Sequence, residues 1–102
     1  MKLRYTPAAR EDLRELHGYI ARELQNPAAT DRTVLSVLES CSRLKEQPLM
    51  GPELSRRIGR TTDLRYLICG KRIAFYRIEH DVISVLRILD GRTDYLRILF
   101  HD

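Results

Sequence analysis

LRYLICGKRIAFYRIEHDVISVLRILDG, residues 64–91, holds three strand-like runs separated by two short turns. Residues 64–69, 72–79 and 82–89 are rich in β-branched and aromatic side chains, with Gly70-Lys71 and His80-Asp81 between them. Two-residue connections of this kind join antiparallel neighbours, so the stretch predicts a three-stranded meander. In the last run Ile83, Val85 and Leu89 fall on one face, and Val82, Leu86 and Ile88 on the other. Apolar residues on both faces make it a central or covered strand.

Upstream, Lys2 to Tyr5 alternates like an edge strand. Thr6-Pro7 then pairs a hydroxyl N-cap with a proline at the first helical position. Leu13, Leu16, Ile20 and Leu24 follow at helical spacing, and Asn26-Pro27 repeats the cap-plus-proline device. One helix therefore stops near Leu24 and a second starts at Pro27, with a seam of Val34, Leu38, Cys41 and Leu44 flanked by Leu35 and Val37. So short a connection folds the helices back on each other. Leu13, Leu16, Ile20, Val34, Leu38 and Cys41 are then expected to pack on the sheet. Pro48, Gly51 and Pro52 break the second helix and open a connection to about Asp63, long enough to carry a turn of its own. After Asp90-Gly91, residues 94–100 carry Leu96, Leu99 and Phe100 at helical spacing. The expected architecture is α+β, in the order β-α-α-β-β-β. Its antiparallel sheet is covered by a helix hairpin, and a short C-terminal helical tail follows.

A chain of 102 residues fits one domain spanning 1–102, too short for a doubly wound cofactor-binding fold or a barrel. With 43% hydrophobic and 31% charged residues it reads as globular rather than disordered. No run approaches the roughly 18 apolar residues of a membrane span. Glu11, Asp12, Glu15 and Glu23 among the early arginines are unlike a signal peptide, and a cytoplasmic location is expected. Cys41 and Cys69 lie far apart in apolar surroundings and read as buried, reduced thiols, and His17, His80 and His101 show no ligand spacing. Neither metal nor cofactor is expected.

The net charge is +4, and the excess sits late: residues 52–102 hold ten basic side chains against seven acidic, nine of the ten being arginine. Arginine forks suit phosphate or carboxylate partners. Arg56, Arg57 and Arg60 crowd the long connection, Arg65, Arg72, Arg77 and Arg87 sit on the strands, and Arg92 follows the last turn. Tyr66, Tyr76 and Tyr95 lie among them, a mixture able to hold phosphates and stack bases. The same arginines on a solvated strand face would do neither. Glu11, Asp12 and Glu15 alternate with Arg10 and Arg14 and read as an exposed charged face. No glycine-rich phosphate loop and no G-x-S-x-G elbow occurs.

Tyr5-Thr6-Pro7-Ala8-Ala9 with Asp12-Leu13, then Tyr19-Ile20-Ala21 and Asn26-Pro27-Ala28-Ala29, form a series of short motifs. Pro48 with Gly51 continues it, followed by Leu64-Arg65-Tyr66, Ile73-Ala74-Phe75-Tyr76-Arg77-Ile78, Val85-Leu86-Arg87-Ile88-Leu89 and Gly91-Arg92. In this order and at this length the chain resembles the ParE/RelE superfamily of toxins from type II toxin–antitoxin (plasmid stabilisation) modules. The resemblance implies a growth-inhibiting toxin neutralised by a cognate antitoxin in a hetero-oligomer. ParE-type members poison DNA gyrase; RelE-type members are endoribonucleases that cleave mRNA on the ribosome. Arg92 falls where a RelE-type arginine follows the last strand. However, Ile73 stands at another arginine position, Leu64 and Tyr66 replace a lysine pair, and Tyr95 precedes the expected tail tyrosine. The gyrase reading is therefore preferred, with RNA cleavage by Arg92, Arg65 and Tyr95, helped by Arg72, as the alternative. A non-toxic antitoxin-binding member is a third class. Arg56, Arg57, Arg60, Arg72, Arg77, Arg87, Leu96, Leu99 and Phe100 are the candidates for contacting target or antitoxin.

Overall fold

The computed structural model describes residues 1–101, apart from the side chain of Leu24. Strand β1 (Lys2–Tyr5) leads into helix α1 (Pro7–Leu24) and then α2 (Pro27–Ser42), extended by a tight turn at Arg43–Lys45. The connection carries a short helix, α3 (Leu54–Ile58), before β2 (Arg65–Cys69), β3 (Arg72–Glu79) and β4 (Val82–Asp90). A last short helix, α4 (Tyr95–Phe100), closes the chain. Both long helices start where the sequence places them. The Thr6 hydroxyl accepts from the Ala9 amide at 3.1 Å, the Asn26 carboxamide oxygen accepts from Ala29 at 3.2 Å, and proline follows each cap. The expected seam member Leu24 has a side chain outside the described residues.

The sheet runs β1-β4-β3-β2. The β2–β3–β4 meander is antiparallel as expected, but β1 joins β4 in parallel, Lys2 beside Val82 and Tyr5 beside Val85, so the sheet is mixed rather than antiparallel. Parallel neighbours need a crossover, and the helix hairpin with its following connection supplies it. The central place of β4 explains its apolar residues on both faces.

Two cores result. On the helix side, Leu16, Val37, Cys41 and Leu44 pack on Cys69, Ala74, Tyr76, Ile83, Val85 and Ile88, with Leu13, Ile20 and Val34 against them. Leu38 is half-buried and outside this cluster. The inward stripe of α2 runs Thr30, Val34, Val37, Cys41, and one step on from Val37 turns a side chain about 100° away. On the other face, Leu54, Leu64, Ile73, Phe75 and Leu89 form a smaller core under Ile58, Tyr95, Ile98, Leu99 and Phe100. Leu89 was expected beside Ile83 and Val85; a β-bulge moves it. Tyr76 pairs with Val85 but Phe75 with Arg87, so Leu86 is an extra residue and the alternation inverts beyond it.

The bulge sits where β4 runs past the end of β1, and α1 supplies its missing partners. The Thr6 hydroxyl donates to the Leu86 carbonyl at 2.8 Å. The Asp12 carboxylate accepts from the Ile88 amide at 2.8 Å and from both arms of the Arg87 fork at 2.8 and 2.9 Å. Asp12 was expected on a solvated face, yet its side chain is 5% exposed. The connection is pinned in a similar way: the buried Tyr76 hydroxyl donates to the Pro48 carbonyl at 2.7 Å and accepts from the Gly51 amide at 3.0 Å. A Cβ on Gly51 would stand 2.4 Å from the Tyr66 carbonyl oxygen and 2.7 Å from Tyr76.

Asp12→Ala strips Arg87 and the buried Ile88 amide of their acceptor, and should lower unfolding free energy by about 3 kcal/mol in urea titration. A loss below about 1 kcal/mol would show that α1 docks without this contact. Gly51→Ala forces backbone and ring apart and should cost about 1–3 kcal/mol, read the same way.

Candidate functional site

Among the described residues the open face is covered by the short helices α3 and α4, and a concavity of about 400 Å³ remains beside them. Its lining comes from Arg57 on α3, Ile68 on β2, Lys71 in the β2–β3 turn, Ile73 on β3, and Asp90 with Arg92 after β4. The meander brings these together, because the β2–β3 turn and the end of β4 lie at one end of the sheet. The Gly91 amide donates to the Lys71 carbonyl at 3.0 Å and locks the two segments.

Arg92 projects from this rim with 84% of its side chain exposed, yet it is held in place. Its backbone amide and Nε donate to one oxygen of Asp90 at 2.8 and 3.2 Å, and its outer nitrogen to the other at 3.2 Å. The Arg92 hydrogen bonds, with the Arg72 charge adding to them, pull the Asp90 carboxyl down to about 2. Across the concavity, Arg57 Nε donates to the Tyr95 hydroxyl at 3.3 Å and its guanidinium lies 5.4 Å from the centre of the Tyr66 ring. The Arg60 guanidinium sits 4.3 Å over the Phe100 ring, and Tyr95 packs on Phe75 with ring centres 5.0 Å apart. Aromatic faces therefore hold two guanidiniums in fixed places on this side.

The other candidates lie elsewhere. Arg65 faces the helix side, its Nε donating to the Gly51 carbonyl at 2.8 Å with Glu53 at 3.7 Å. Arg72 meets Asp90 at 3.2 Å and lines the groove on the helix side. Arg77 pairs with Asp63 at 3.2 Å, Arg87 with Asp12, and Arg56 with Glu53 at 3.1 Å on the exposed side of α3. Leu99 and Phe100 dock on the open-face core together with Ile98, which the periodicity argument passed over; Leu96 lies outside that core. Thus Arg57, Arg60, Arg92, Tyr95 and Phe100 share a face, Arg65 and Arg72 do not, and Arg87 lies opposite Phe75 but is drawn to Asp12 on α1, away from the concavity. Lys71, Ile68 and Asp90 were missed. The meander's own topology carried that signal, since it sets the 70–71 turn beside residues 90–92. Among the described residues no group of His, Cys, Asp and Glu could hold a metal ion, and no helix is long and apolar enough to cross a membrane.

The architecture is thus a mixed four-stranded sheet backed by a helix hairpin, with a basic concavity on its open face. The family model described as the ParE toxin of type II toxin-antitoxin system, parDE, matches residues 3–95, and the chain belongs to that family. The chain is similar to a structure of the chromosomal ParDE toxin–antitoxin system from P. aeruginosa, with TM-score 0.74 and 22% identity, over 88% of this chain and 95% of that one. It is also similar to a structure of the RelBE2 toxin–antitoxin complex from Mycobacterium tuberculosis, with TM-score 0.63 and 25% identity, over 87% of this chain and 95% of that one. Among curated proteins none matches the chain.

Because its folded pKa lies below the ordinary 3.8, Asp90 stabilises the fold fully above that pH, and its contribution is lost as pH falls through about 2. Asp90→Asn should lower Tm at neutral pH and flatten the fall of Tm between those two values. An unchanged acid limb would mean that Asp90 does not hold Arg92 in solution.

Proposed function

We propose that this toxin poisons DNA gyrase, presenting Arg57, Lys71 and Arg92 to an acidic or phosphate-bearing surface of its target. The observation that carries the reading is Ile73. Where resemblance to RelE-type members implies an arginine, an apolar side chain forms the floor of the concavity, next to Ile68 at 61% exposure. RNA cleavage needs a group that moves a proton near neutral pH. The ionisable side chains lining the concavity are Arg57, Lys71, Arg92 and an Asp90 held at about 2, a set suited to binding anions rather than to acid–base exchange. Arg65, the third member of the RNA-cleaving set, faces the helix side, which also favours gyrase. Residues 1–102 form one toxin domain, acting in the cytoplasm and neutralised by a cognate antitoxin with an acidic, amphipathic segment. The toxin–antitoxin complexes among its structural neighbours support that partner.

The RNA-cleaving reading keeps one support, the Arg57–Tyr95 hydrogen bond across the concavity from Arg92. The two are separated by incubating the purified protein with gyrase and supercoiled DNA, and in parallel with programmed ribosomes. Gyrase-dependent DNA cleavage with intact mRNA is the expected result; mRNA cut on the ribosome alone would overturn it. Silence in both assays, with normal growth on induction, would assign the non-toxic class.

Arg92→Ala should abolish growth inhibition while costing no more Tm at neutral pH than Asp90→Asn, because the stability it removes is that of the same exposed pair. A folded Arg92→Ala protein with full toxicity would remove Arg92 from the site.

A further inference from the structure

Cys41 and Cys69, far apart in sequence, meet in the fold. Cys41 comes from the inner stripe of α2 and Cys69 is the last residue of β2; both belong to the helix-side core and both are free thiols. Their thiols act on each other, with the Tyr5 hydroxyl beside Cys41, and the Cys69 thiol also points at the Leu67 carbonyl oxygen at 3.6 Å. The two differ in access. Cys41 is fully enclosed, whereas Cys69 lines a groove of about 490 Å³ between the helix hairpin and the β2–β3 turn. Arg32, Lys71 and Arg72 stand around that groove, over an apolar floor that includes Leu16, Ile20 and Val37.

The pair is also chemically unequal. The hydrogen bond from Cys41 holds the Cys69 thiol below its ordinary pKa, against the effect of burial, with Ser40 and Arg43 helping. The same bond, together with burial, pushes Cys41 up. The thiol that ionises more easily is therefore the one on the residue that lines the groove, which is the arrangement of an attacking and a resolving cysteine.

We propose that Cys69 is a thiol modification site for small anionic disulfides of the glutathione class, with Cys41 as its resolving partner. The Cys69 thiolate attacks one sulfur of the disulfide, forming a mixed disulfide and releasing one small thiolate. Cys41 then attacks the Cys69 sulfur, displaces the second small thiolate and passes it a proton. The two protein thiols lose two electrons and two protons, and the small disulfide is reduced to two thiols. The cationic groove wall favours a reagent carrying carboxylates over a neutral one. The product bond staples α2 to the end of β2 and closes a loop containing the whole connection and α3, so it stabilises the fold by constraining the unfolded chain.

The test treats the folded, full-length protein with oxidised glutathione and follows it by intact mass and thiol titration. Wild type should lose two hydrogens and both thiols, and gain at least about 5 °C in Tm, reversed by dithiothreitol. Cys41→Ala should stop at a glutathione adduct on Cys69. Cys69→Ala should leave Cys41 at least about tenfold slower to react than Cys69. Alanine keeps the sites apolar, and a circular-dichroism melt of each reduced variant confirms that it is folded. Wild type that keeps both thiols, or that stops at the adduct as Cys41→Ala does, overturns the proposal. So does a Cys41 that reacts as fast as Cys69.

Discussion

The fold turns on one carboxylate. Asp12 gathers three hydrogen bonds, two from the Arg87 fork and one from the Ile88 amide, at the point where β4 has run past the end of β1. A strand edge left open there would bury unpaired backbone groups, which is costly. Helix α1 takes the place of the missing strand, with the Thr6 hydroxyl on Leu86 and the Asp12 carboxylate on Ile88. Burying Asp12 is tolerable because a bidentate, charge-assisted partner and an amide occupy its oxygens. Donating to the Asp12 carboxylate correspondingly raises the pKa of Arg87. The bulge at Leu86 belongs to the same device. It inverts the alternation of β4, leaves Ile88 under the helix hairpin and sends Leu89 to the open face.

That division gives the two faces different tasks. The helix side holds the larger core and anchors the long connection through Tyr76, whose hydroxyl bonds with Pro48 and Gly51. The open side has only two helices of five and six residues, each too short to be stable without the sheet beneath it. They cover Phe75 and Leu89 but leave the end of the sheet near Ile68 and Ile73 accessible. Charge collects at that uncovered end, because the β2–β3 turn and the exit from β4 deliver Lys71 and Arg92 to the same place.

The arginine surplus of the second half is consequently a poor measure of the basic surface. Arg65, Arg72, Arg77 and Arg87 are engaged by the Gly51 carbonyl, Asp90, Asp63 and Asp12 respectively, and they tie strands to loops and helices. Arg57 and Arg92 are the ones that reach the concavity, each exposed yet positioned by a neighbour. Counting charges along the chain cannot separate these two populations, because the pairing carboxylates lie up to 75 residues away.

The sequence by itself determined both long helices, through Thr6-Pro7 and Asn26-Pro27, and the three meander strands, through their turns and apolar runs. These are local decisions, governed by capping, proline geometry and side-chain period. It also marked Pro48 and Gly51 as a break, which the crowding around Gly51 accounts for. Only the tertiary structure decided that β1 lies parallel to β4, that Val37 rather than Leu38 faces inward, and that Leu89 changes sides. It also decided that Asp12 is buried and that Cys41 and Cys69 share one core. Each of these depends on a partner distant in sequence or on a single inserted residue. A period-2 pattern gives the same expectation for a regular strand and for one with a bulge. A carboxylate flanked by arginines looks solvated until the Ile88 amide and Arg87 are brought beneath it.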